Sequence, residues 1–154
     1  MLDVAHVHPM LVHFPIVLFL VSIASAVIVL VQGGDLAQRA CLPSIALGAL
    51  ILGAVSAIAA AVFGDIALDR AVDLGFPKDP LEAHEELGLT TTCLFVALAV
   101  VQGLAWWRRF PLKGGRGWIV TLVGVAGCVV LLLAAYRGGN LVYNIGVNVS
   151  AVKH

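Results

Sequence analysis

Five histidines are the side chains best able to do chemistry in this chain: His6, His8, His13, His84 and His154. Neutral imidazole ligates haem iron, zinc and copper. Two of the five are placed by prolines. His13 lies four residues after Pro9, about 6 Å down a helix that this proline would open. His84 lies four residues after Pro80, in a helix that Asp79 would cap and Glu82 would support from its first turn. If the two helices run parallel in one bundle, His13 and His84 stand at matching depth and can take one ligand between them.

His8 is the alternative ligand. It precedes His13 by five residues, about 140° round a helix, so both cannot point at one group. Pro9 disfavours a helical conformation at His8, which could instead cap the helix or serve a second, shallower centre. Pro15 should kink the helix near His13. Gly88, one turn after His84, leaves a gap on the same face, and Thr91 offers a hydroxyl there. Tyr143 and Asn144 could touch a cofactor edge or a quinone. The bland alternative is a set of interfacial histidines with their tips in water, and His6 and His154 are read as having no part in the site.

The elements that must hold these residues follow from composition. The 154 residues are 61% hydrophobic and 12% charged, with mean hydropathy +1.04. A soluble domain has about 45–50% apolar and about 25% charged residues. The numbers exclude a soluble enzyme, a disordered chain and a basic nucleic-acid binder; Lys+Arg and Asp+Glu are both 9. Four apolar runs are long enough to cross a bilayer as helices, at about 10–31, 40–63, 80–107 (continuously apolar from about Glu86) and 117–137. Short links between them predict an all-α, antiparallel four-helix bundle forming a single membrane domain. The segment from Gly64 to Glu85 is expected to be a longer, acidic connection.

Arg108, Arg109, Lys113 and Arg116 crowd one loop. The positive-inside bias puts that loop in the cytoplasm and both termini, with every histidine, on the periplasmic side of a bacterial inner membrane. Trp106, Trp107 and Trp118 then form an interfacial belt. Gly53, Ala57 and Ala61, like Gly124 and Gly127, let helices approach closely or make room for a flat cofactor. Asp65, Asp69 and Asp73 form an acidic stripe that could dock a basic partner or merely face water. Cys41, Cys93 and Cys128 match no metal or redox spacing and are expected to behave as small apolar residues.

The segment His8-Pro9-Met10-Leu11-Val12-His13-Phe14-Pro15 resembles the opening motif of the bacterial domain-of-unknown-function family 2231, small membrane proteins with four predicted spans. Gly64-Asp65, His84 and the closing Gly138-Gly139-Asn140-Leu141-Val142-Tyr143 are also similar, so the resemblance covers nearly the whole chain. It implies a redox role in the membrane, beside cytochrome c or other redox proteins. The family's closing motif usually has a histidine where Ile145 stands, so one ligand for a second haem is missing. The expectation is a single b-type haem on His13 and His84, in a subunit passing electrons between the quinone pool and a periplasmic redox partner, alone or in an oligomer. A cofactor-free assembly subunit and a copper or zinc site on His8, His13 and His84 are the alternatives.

Overall fold

The computed structural model describes residues 7–149. Its elements are α1 (Val7–Leu11), α2 (His13–Val31), α3 (Cys41–Asp73), α4 (Lys78–Arg108) and α5 (Gly114–Tyr143), with no strand among the described residues. Val7–Val31, α3, α4 and α5 are each long and apolar enough to cross a membrane. The helices form a ring in the order α2, α3, α4, α5, with α5 returning to α2 and α1 lying on α3. Large apolar side chains such as Val17, Leu52 and Ile119 are exposed on the outside of the ring, where lipid rather than water is their solvent.

Besides α5, which runs on to Tyr143 instead of ending near residue 137, three boundaries differ from the sequence-based expectation. Helix begins at Val7, before Pro9, so His8 is helical. The ladder is interrupted at Val12, one residue before His13. Pro15 has no N–H to give the Leu11 carbonyl, which accounts for a break there. The helix expected to be capped by Asp79 starts two residues earlier, at Lys78 after an extended Pro77, and no side chain caps it. Pro80 is tolerated in the first turn because the N–H it lacks has no intrahelical partner there. Lys78 pairs with Glu82 one turn on, at 2.7 Å.

The third difference is larger. Gly64 to Asp73 is not loop; α3 runs straight through it. At 1.5 Å per residue the 33-residue helix is about 50 Å long, against a hydrocarbon core of about 30 Å. It ends where Gly75 takes φ +87°. Phe76 N–H then bonds the Ala71 carbonyl and Gly75 N–H the Val72 carbonyl, the Schellman closure that favours glycine at this position. The protruding turns pack Ala71, Leu81 and Leu141 into a small apolar cap.

The bundle centre is set by aromatic stacking. The Phe19 and Phe95 rings lie 3.8 Å apart and 7° from parallel, both fully buried. Gly53 and Gly127 sit against them. A Cβ on Gly53 would come 2.5 Å from the Phe19 ring, and one on Gly127 3.1 Å from Phe95. Close packing is therefore the role of these two glycines.

At the arginine end, Asp35 ties the two inter-helix loops together. Its Oδ1 accepts from Ala37 N–H at 2.9 Å and from Leu112 N–H at 2.8 Å, and Leu36 N–H donates to the Leu112 carbonyl. Asp35→Ala removes the acceptor for both amides and is expected to cost about 1–3 kcal/mol, read as a lower unfolding midpoint in detergent. Trp106 lies under Arg39 at 4.5 Å, Trp107 is exposed and Trp118 half-exposed, all at this end.

Candidate functional site: a histidine pair across the bundle

α1 and α4 stand diagonally across the ring, and each brings one imidazole inward. The centroids of His8 and His84 are 6.1 Å apart and their planes cross at 79°. His8, not His13, is the partner of His84. His13 is exposed on the outer face of α2. The structure thus sets His8, and not the expected His13, beside His84. With His8 helical, the 140° between the two residues turns His13 away from the bundle.

Each ring is fixed in the same manner. His8 Nδ1 lies 2.8 Å from the Ala60 carbonyl on α3, and His84 Nδ1 lies 3.0 Å from the Ala134 carbonyl on α5. A carbonyl only accepts, so Nδ1 carries the hydrogen and donates in both. In a neutral ring this leaves Nε2 as the free nitrogen, the tautomer that an anchoring carbonyl sets for a metal-binding histidine. One turn beyond each carbonyl is a glycine. A Cβ on Gly64 would stand 3.0 Å from His8 Cε1 and Nδ1, and one on Gly138 2.9 Å from His84 Cε1. A side chain at either position would crowd the ring and require a shift there.

A Cβ on Gly88 would meet nothing within 4 Å. Thr91 is buried and its hydroxyl donates to the Leu87 carbonyl on its own helix at 2.8 Å. Tyr143 is 88% exposed at the end of α5, and Asn144 bonds Asn140 at 2.8 Å. Asp65, Asp69 and Asp73 are exposed along α3. Only Cys128 is buried, in the central core, whereas Cys41 and Cys93 are exposed. His6 and His154 lie outside the described residues.

The carbonyls of Ala60 and Ala134 escape sequence reasoning, because a backbone acceptor has no side-chain signature. Gly64 and Gly138 are visible only as members of the motifs that carry the family resemblance. Among the described residues no group of three or more His, Cys, Asp or Glu could hold a metal ion. The pair therefore offers two nitrogen donors and no third protein ligand from that set. The centroid separation of 6.1 Å brings the two imidazoles close enough that one metal-centred group could be held between them, with metal–nitrogen bonds of about 2.0 Å. The Leu81–Ala71–Leu141 cap sits about one turn outside His84 on the chain.

No curated protein and no solved structure matches this chain. The family model described as "Predicted membrane protein (DUF2231)" matches residues 5–151. A histidine-bearing bundle of four membrane-length helices, matched over nearly its full length, belongs to the DUF2231 family of membrane proteins.

Proposed function

We propose that this protein is a membrane-embedded electron-transfer subunit that holds one b-type haem between His8 and His84. The observation that carries this reading is the matched pair of imidazoles, each tied by Nδ1 to a backbone carbonyl and each with Nε2 free, at 6.1 Å. Two donors suit a metal that brings its own equatorial ligands. Zinc's usual tetrahedral site asks for a third protein ligand, which the described residues do not provide. A bound haem iron would supply a one-electron redox step near the bundle axis.

The chain's own residues do the rest. Ala60 and Ala134 hold the ring tautomers, Gly64 and Gly138 give the rings room, and the apolar cap limits water. Electrons would enter from the quinone pool and leave to a soluble redox protein on the periplasmic side. A basic carrier there would meet the exposed Asp65, Asp69 and Asp73. The test is the reduced-minus-oxidised spectrum of the full chain purified from haem-replete cells. Sharp α and β bands with a Soret band are the expected result. A colourless preparation overturns the reading in favour of a cofactor-free subunit.

A further inference from the structure

The surroundings of the two histidines repeat in chain position as well as in geometry. Phe19 follows His8 by 11 residues, and Phe95 follows His84 by 11. Eleven residues are close to three full helical turns, so each histidine and its phenylalanine share a helix face. On the facing helices, Gly53, Ala60 and Gly64 are spaced by 7 and 4 residues, and so are Gly127, Ala134 and Gly138. In both triplets the first glycine packs on the phenylalanine, the alanine carbonyl accepts from the histidine, and the second glycine receives its ring.

Burial repeats with the same offsets. Every buried position of α4 from Thr91 to Ala105 falls, 76 residues earlier, on a buried position of α2. Every buried position of α5 from Gly117 to Ala134 falls, 74 residues earlier, on a buried position of α3. Helical periodicity explains a shared period but not shared phase, shared residue types and shared partners together. The ring order also fits, since exchanging α2 with α4 and α3 with α5 leaves every neighbour relation unchanged.

We infer that the chain is two copies of one helical-hairpin half-site related by a pseudo-twofold axis along the bundle, and that Gly64 and Gly138 are equivalent positioning residues aiming one imidazole each at that axis. The ligand this arrangement takes is a single metal-centred planar group with two equivalent faces. That choice of ligand rests on the haem reading; the equivalence of the half-sites does not. The Phe19–Phe95 stack lies on the same axis, about 16 Å further in at 1.5 Å per residue.

The experiment uses the full chain in detergent with two readouts. The first is long-range ¹H–¹⁵N NMR of labelled histidines, assigned with His8→Gln and His84→Gln, which reports the ring tautomer without any cofactor. Gly64→Ala is expected to disturb only the His8 signals and Gly138→Ala only those of His84. Gly139→Ala, whose Cβ meets nothing within 4 Å, should disturb neither. The second readout is titration with hemin. Each of Gly64→Ala and Gly138→Ala is expected to weaken binding about 10–100-fold, as loss of an orienting partner does, and by similar factors. Alanine favours helix over glycine, and circular dichroism checks that each variant is folded. Disturbance by one glycine variant and none by its counterpart overturns the half-site equivalence. If the wild-type chain binds no hemin while the NMR responses are paired, the haem reading fails and the duplication stands.

Discussion

His8→Ala is expected to abolish the six-coordinate haem spectrum, whereas His13→Ala leaves it in place. The contrast is sharp because the two residues share a motif and differ only in helix phase. His8 Nδ1 reaches the Ala60 carbonyl and its ring lies over Gly64; His13 is exposed on the outside of the bundle. A haem held as proposed would then keep only one protein imidazole. The sharp reduced bands should then be replaced by a broad high-spin spectrum or by no haem at all. His84→Ala should do the same, and second-order differences between the two report how far the half-sites are equivalent. A haem held as proposed, between imidazoles whose planes cross at 79°, would be expected to give a strongly anisotropic low-spin EPR signal in the ferric state. Loss of the spectrum in His13→Ala with retention in His8→Ala would overturn the ligand assignment.

Phe95→Ala is expected to be the most destabilising single change in the central core. Its ring is fully buried, stacks on Phe19 at 3.8 Å and backs onto Gly127. In a bilayer the hydrophobic effect gives little drive between helices, and packing contacts carry the association. Truncating the ring removes contacts to two other helices at once and leaves a cavity that the glycine beside it cannot fill. Deleting a buried aromatic ring typically costs about 3–5 kcal/mol. The measurement is unfolding in mixed micelles followed by circular dichroism. The lipid-facing Val17→Ala serves as the reference and should change stability far less, because lipid fills the space it vacates. Comparable losses in the two variants would mean that the stack does not organise the bundle.

Much of the architecture was legible because the bilayer imposes one simple rule. Backbone groups in hydrocarbon must bond internally, so each long apolar run had to be a helix, and short links made neighbours antiparallel. The ends of the helices were less legible. Gly64 resembled the end of a span, yet α3 passes through it because the interrupting signal is Gly75, which alone takes the left-handed conformation there. Acidic residues after Gly64 marked departure from hydrocarbon, not departure from helix. The sequence pattern marks both Pro9 and Pro80 as first helical residues. In the structure the helices begin two residues before each of them, since a proline anywhere in the first turn costs no hydrogen bond.

The candidate site was legible in its ingredients, not in which residues meet. From composition and spacing alone the chain is a four-span membrane bundle, with the histidines as its candidate ligands. Those features depend on residue type and run length, which are properties of the sequence itself. Which histidine meets His84 depends on where the first helix starts and how it is rotated against α3. That rotation is decided by contacts from distant positions: Phe19 against Gly53 and Phe95, and His8 against Gly64. The carbonyls that select the imidazole tautomer belong to two alanines whose side chains say nothing about them. Only the packed tertiary structure could decide these points, because helix phase and backbone acceptors acquire meaning when one helix is laid against another.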